Sequence, residues 1–249
     1  MTAIQDETGR RRFLRQVATI IPASSLTPAL LAQQGCSESA KPDGENSAGV
    51  MRSAEGSPYR PTFFTDSEWK FLIAAVDELI PSDSTGAGAV EAGVPEFIDR
   101  QMQTPYAHGH LWYMHAPFNP ASAPELGYQM KFVPRDIYRI GIQECDAWCE
   151  STHKRVFAEL GKALRIQFLE QIDDGKIELQ TVPAKLFFST LLKNTKEGYF
   201  ADPMYGGNRG MAGWKMIGFP GARADFMDWV GKPGARYPLP PVSILGEQS

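Results

Sequence analysis

Apolar residues recur at helical spacing along much of this chain and nowhere alternate at strand spacing between hairpin turns, so the pattern predicts an all-α fold with long connections. The clearest segment begins at Thr65-Asp66-Ser67-Glu68. There Thr65 can accept from the backbone of Glu68 while the Glu68 side chain reaches back, a capping box that starts a helix. Trp69, Leu72, Ile73, Val76, Leu79 and Ile80 then keep one side apolar until Pro81 ends the run. Val94-Pro95 opens a second, short helix, because proline at the first helical position gives up an N–H that has no partner there anyway, and Phe97, Ile98 and Met102 form its apolar side. Arg135 to about Phe157 is a third, with Ile137, Ile140, Ile142, Cys145, Trp148 and Cys149 broadly on one side. Leu160 to Ile172, stopped by Asp174-Gly175, and Ala184 to Tyr199 complete the set.

Between these helices lie two segments without periodicity. Thr104 to Pro134 carries five prolines, His108, His110 and His115, and the aromatics Trp112, Tyr113, Phe118, Tyr128 and Phe132. Irregular loops of that length inside a compact domain tend to bind something or to form an interface. Gly198 to Gly221 holds seven glycines among aromatics, which implies tight turns and close backbone approach. From Cys36 to Pro58 the chain is Ser, Gly, Glu, Lys and Asn with almost nothing apolar, too little to offset the entropy of ordering. The organisation expected is therefore a leader over 1–35, a flexible linker over 36–60 and one helical domain over 61–249, long enough for a sizeable core.

The leader reading rests on Arg10-Arg11-Arg12-Phe13-Leu14-Arg15, in which Arg10 and Arg11 form the pair of a twin-arginine export signal and Phe13 and Leu14 its apolar positions. The stretch from Val17 to Ala32 that follows is interrupted by Pro22 and Pro28, short of the ~20 apolar residues of a membrane span. A basic start to an ordinary helix is the alternative. Export in the folded state lets such a subunit carry a leaderless, cofactor-loaded partner, and the expected location is the periplasm. The net charge of −4 argues against nucleic acid, which requires clustered Lys and Arg.

Cofactor motifs are missing. The glycine-rich stretch has neither G-x-G-x-x-G after a strand nor G-x-x-x-x-G-K-[ST], which disfavours flavin or nicotinamide binding by this chain. Three cysteines are too few for the four thiolates of an iron–sulfur or closed zinc site. Cys145 and Cys149, four apart on a helix, read as small buried hydrophobes; a link from one of them to a partner chain stands beside that reading. His108, His110 and His115, with Glu125, could share a metal, although a proline-rich loop offers them no evident fixed geometry.

Phe63 to Pro81, the entry Ala92-Gly93-Val94-Pro95, and above all E-G-Y-F-A-D-P-M-Y-G-G-N-R from Glu197 with G-W-K-M-I-G-F-P-G from Gly213 resemble the small subunit (subunit 3) of membrane-bound gluconate 2-dehydrogenase, a family that includes the small subunit of fructose dehydrogenase. The resemblance implies a three-part complex, through which the chain is associated with the inner membrane. A large FAD-dependent subunit of the glucose-methanol-choline type oxidises the sugar, a multihaem cytochrome c subunit passes electrons on, and the small subunit binds the flavoprotein and aids its maturation and export. It implies no catalytic residue, cofactor or metal in this chain, with FAD and haem c in the partners. Asp202, Asn208, Arg209 and Trp214 are the candidates for partner contact, equally readable as internal scaffold: Asp202 before Pro203 can fix a turn, and Trp214 can be core. Two rivals remain. One is a free-standing periplasmic metal-binding protein or enzyme using the histidine loop; the other is a structural protein tethered by its leader or by Cys36.

Overall fold

The computed structural model describes residues 59–247 apart from 121, 124, 126, 127, 225 and 226. Arg10, Arg11, Phe13 and Leu14 of the expected export signal, and the tract from Cys36 to Pro58, lie outside the described residues. Those described form six α-helices: α1 (Asp66–Leu79), α2 (Val94–Gln101), α3 (Pro134–His153), α4 (Lys162–Asp173), α5 (Ala184–Phe200) and α6 (Ala212–Ile217). Among them there is no strand, only isolated bridges between Asp83 and Gly86 and between Gly221 and Val242. No helix of the described residues is long and apolar enough to cross a membrane.

The helix ends follow the local chemistry read from the sequence. Thr65 Oγ1 accepts from the Glu68 N–H while the Thr65 N–H donates to Glu68 Oε2 at 2.8 Å, closing the capping box of α1. Pro95 lies in the first turn of α2 and Pro134 in that of α3, where the Asp136 carboxylate accepts from the Val133 N–H at 3.3 Å. Helix α3 stops at His153, before the Phe157 expected from periodicity. Lys154 takes the left-handed conformation there, and Phe157 begins a separate single turn. Gly175, also left-handed, follows the end of α4.

Helix α5 is the hub, packed against each of the other five, and α1 packs against α2 to α5. Burial on α1 therefore covers a wider arc than the apolar stripe implied: Phe71, Ala74 and Ala75 are as buried as Leu72 and Val76, whereas Trp69 and Ile73 are half-buried. Rings fill the centre, with Phe71 against Phe157 at 4.6 Å between centroids, Phe157 against Phe168 at 5.3 Å and Phe71 against Phe187 at 6.0 Å. Gly141 of α3 admits the Phe187 ring; a Cβ there would lie 2.2 Å from Phe187 Cδ2. A buried Glu78 joins Arg165 at 2.8 Å across α1 and α4.

The domain is fastened at its start by Asp99 of α2, a fully buried carboxylate. Its Oδ1 accepts from the N–H groups of Phe63 (3.0 Å) and Phe64 (3.1 Å), and its Oδ2 from Tyr59 Oη (2.7 Å), Thr62 N (2.7 Å) and Thr62 Oγ1 (2.9 Å). Tyr59, placed in the linker by the composition around it, is thus part of the packed domain. Burial and the facing Asp99 carboxylate push its phenol above the ordinary range and keep it a donor.

Candidate functional site

Two of the stretches that carry the family resemblance, far apart in sequence, meet in space. The Arg209 N–H donates to Ala92 O at 3.0 Å, and Gly93, left-handed at φ 78°, lies so close to the loop after α5 that a Cβ would stand 2.5 Å from Gly206 O. Gly207 is pressed against α5, where a Cβ would lie 2.2 Å from Gly198 O. Gly198 in turn seats the Phe97 ring of α2. The glycines of this segment thus let three stretches of backbone cross at van der Waals distance, as their density implied.

Each candidate side chain in this knot has an internal partner. Asp202 Oδ1 accepts from Met204 N (3.1 Å), fixing the turn at Pro203, while Oδ2 accepts from Ile244 N (2.7 Å) and ties down the C-terminal segment. Asn208, fully buried and left-handed at φ 47°, donates through Nδ2 to Ala201 O and accepts at Oδ1 from Gly213 N, both at 2.8 Å. Trp214 is buried and donates through Nε1 to Phe200 O at 2.8 Å. Arg209 pairs with the buried Glu96, which Arg100 engages from the other side, but its own side chain is half exposed. Of the four, Asp202, Asn208 and Trp214 order the loop, and Arg209 alone also faces outward.

Cys145 and Cys149 are both fully buried. Burial pushes the Cys145 thiol well above its ordinary range and the Cys149 thiol up to about 12, so both are small hydrophobes in the packed helix.

The aromatic loop is ordered by its own rings. Trp112 stands edge-on to Tyr106 (5.8 Å) and Tyr128 (6.1 Å), and the Tyr128 hydroxyl, pushed by burial up to about 12, donates to Phe132 O. Trp112, Tyr113, His115, Pro117, Phe118 and Tyr128 line an open cleft of about 400 Å³. The histidines do not converge. His108 is 3.0 Å through Nδ1 from Thr104 O and 3.4 Å through Nε2 from Arg135 Nη1, its ring lies 5.6 Å from that of His110, and His115 packs on Tyr113. Among the described residues no three His, Cys, Asp or Glu side chains gather into a group that could hold a metal ion.

Sequence reasoning missed Glu96 and Asp99. They lie one turn apart on α2 beside its apolar residues; the groups that bond Asp99 come from Tyr59 to Phe64, and Glu96, besides its i,i+4 neighbour Arg100, pairs with Arg209 more than a hundred residues away.

The described residues thus form an all-helical domain in which Asp202, Asn208 and Trp214 of the motif hold its own loops. The chain belongs to the gluconate 2-dehydrogenase subunit 3 family, whose profile matches residues 66–221, from the first residue of α1 to the last glycine of the knot. Membership makes it an accessory subunit of a multi-subunit dehydrogenase complex of the gluconate 2-dehydrogenase kind. No curated protein and no solved structure matches the chain.

Proposed function

We propose that this chain is the non-catalytic small subunit of a periplasmic, membrane-associated sugar or sugar-acid dehydrogenase. It binds a large FAD-carrying subunit of the glucose-methanol-choline type, which works with a multihaem cytochrome c, and brings that subunit to maturity and through the twin-arginine export route. The observation that carries the reading is the family match over 66–221, the stretch that contains all six helices. The committed side chains of the knot support it: Asp202, Asn208 and Glu96 serve the fold, which suits a chain that works by presenting a surface. FAD and haem c belong, on this reading, to the partners, and Arg10 and Arg11 supply the export pair.

The test is a pull-down of the C-terminally tagged chain from its native membrane fraction, with flavin and haem spectra and sugar-dependent dye reduction measured on the eluate. The expected result is co-purification of a flavoprotein with gluconate- or related sugar-dependent activity, lost from the periplasm when Arg10→Lys and Arg11→Lys are combined. A colourless, inactive, solitary chain would overturn the proposal. Metal bound by the purified chain alone would point instead to the His108, His110 and His115 loop.

A further inference from the structure

Four arginines lie on the α-helices, and three of them face a glutamate: Arg100 pairs with Glu96, Arg139 with Glu68 at 2.6 Å and Arg165 with Glu78 at 2.8 Å. Arg135, in the first turn of α3, does not. Among the described residues no Asp or Glu side chain pairs with it. Its guanidinium is nevertheless fixed. Nη1 donates at 2.7 Å to the carbonyl of Met102 at the end of α2, and the guanidinium carbon stands 4.5 Å from the centroid of the Phe63 ring. Nε and Nη2 donate to nothing among the described residues, and neither is buried. Two imidazoles stand beside this open part of the fork. His108 Nδ1 lies 3.0 Å from Thr104 O, which can only accept, so Nδ1 carries the hydrogen and the lone pair of the neutral ring is left at Nε2, 3.4 Å from Arg135 Nη1. The His110 ring lies 5.6 Å from that of His108. The carboxylates of the elements packed around the three are taken: Glu68 by Arg139 and Thr65, Asp99 by the entry segment, Asp136 by the Val133 N–H and Glu197 of α5 by Asn194 at 2.9 Å. On the side of Tyr106, Lys193 of α5 adds a further positive charge, 5.9 Å from the Tyr106 ring.

We infer that Arg135, His108 and His110 form a binding site for a small oxyanion, a carboxylate or a phosphate. The planar guanidinium fork matches two oxygens of such a group at once, and here it is held in place before the ligand arrives, so little side-chain freedom is lost on binding. The imidazoles set the pH dependence. In the absence of an anion, protonating His108 places a second N–H and a second positive charge beside the guanidinium, with His110 close behind. An oxyanion on the fork accepts from both and offsets that repulsion, so anion and proton bind cooperatively and affinity rises as pH falls. The same arrangement works against the metal that the histidines invite, because a cation would have to approach Arg135. The site owes nothing to a partner chain, and the accessory-subunit reading stands or falls separately from it.

The test follows the ring Cε1–H signals of the four histidines and the arginine Nε–H signals of the full chain by NMR while gluconate or inorganic phosphate is added, with chloride as the control at equal ionic strength. The signals of His108, His110 and Arg135 are expected to shift saturably with either oxyanion and not with chloride. Gluconate stays a monoanion between about pH 8 and pH 6, the range over which imidazoles titrate, so the severalfold gain in its affinity expected on lowering the pH comes from the protein. Arg135→Gln is expected to weaken binding about tenfold or more, and Arg135→Lys, which keeps the charge and loses the fork, to weaken it as well. Arg155→Gln, at an exposed position beyond the end of α3, is expected to leave binding unchanged. Because Arg135 also holds Met102, the urea midpoint of each variant is measured. The double variant His108→Gln, His110→Gln changes only exposed side chains and is expected to keep the wild-type midpoint while the pH dependence of gluconate binding flattens, a readout that survives even if Arg135→Gln fails to fold. Binding of gluconate without phosphate would support the site as one for carboxylates alone. Shifts that never saturate or that chloride reproduces, wild-type affinity in a folded Arg135→Gln, or an unchanged pH profile in the double variant would each overturn the inference.

Discussion

Replacing Asp99 with alanine tests how the domain is held at its start. The carboxylate accepts five hydrogen bonds. Without it, the hydroxyls of Tyr59 and Thr62 can turn toward water. The N–H groups of Phe63 and Phe64 are buried and main-chain, and cannot follow. A buried donor left without an acceptor costs about 1 to 3 kcal/mol, so the two together, with the charge-assisted bond from Thr62 N also lost, give an expected destabilisation of about 4 kcal/mol. That is a large share of the ~5 to 15 kcal/mol available to a folded domain. Asp99→Asn keeps the shape but turns an NH₂ group toward one set of donors, and about half the loss is expected. Urea unfolding followed by far-UV circular dichroism measures both, and limited proteolysis between residues 59 and 64 reports whether the entry segment detaches first. Should Asp99→Ala unfold within about 1 kcal/mol of wild type with the segment still protected, the carboxylate is not the fastening described here.

Other consequences can be checked in the same preparations. Asn208→Ala removes two buried hydrogen bonds from a left-handed residue and should cost about 2 to 3 kcal/mol, read as a lowered urea midpoint; Gly207→Ala, whose Cβ would meet Gly198 O, should be at least as damaging. Burial raises the Asp146 carboxyl against the smaller opposing effect of the Phe157 N–H, so the folded chain binds its proton more tightly than the unfolded one. Stability from this group is present at low pH and lost as pH rises through the raised value, and the urea midpoint of Asp146→Asn relative to wild type should therefore fall as pH is lowered from neutral into the carboxylate range. With their thiols raised by burial, Cys145 and Cys149 should resist iodoacetamide in the native chain and react once it is unfolded, as mapped by peptide mass.

What the sequence discloses is what neighbours in sequence decide. The capping box at Thr65, Pro95 at its helix start, and the stop at Gly175 depend on residues within a turn of one another, and each appears where the pattern places it. The width of burial on α1 does not, because an apolar stripe shows which side faces inward but not how many helices will surround it. Phe71 and Ala75 are buried by α3, α4 and α5 arriving from later in the chain. The same limit hid Asp99, an acidic residue on a short helix that looks solvated until the Tyr59–Phe64 backbone is laid across it. In the glycine-rich segment the density of glycine announced close approach, but only the fold shows that Gly93 and Gly206 are the two sides of one contact. Asp202 and Trp214 could be read as surface or scaffold with equal justice from sequence, and their hydrogen bonds to Ile244 and Phe200 place them inside.

The crossing of the Ala92–Gly93 entry with the Gly206–Arg209 loop also bears on the order of folding. Its hydrogen bond from Arg209 to Ala92 closes more than a hundred residues of chain, and such a closure is entropically favourable only after intervening helices have brought the two ends together. The knot is therefore expected to close after α2 and α5 have docked, and mutations within it to hasten unfolding far more than they slow folding, as stopped-flow kinetics in urea would measure. Because Asp202 of that same knot holds Ile244, the stretch around Ile244 takes its final place at that step. A chain with an unfinished core therefore leaves the stretch around Ile244 unfastened, so protection of that stretch from proteolysis is a readout of completed folding.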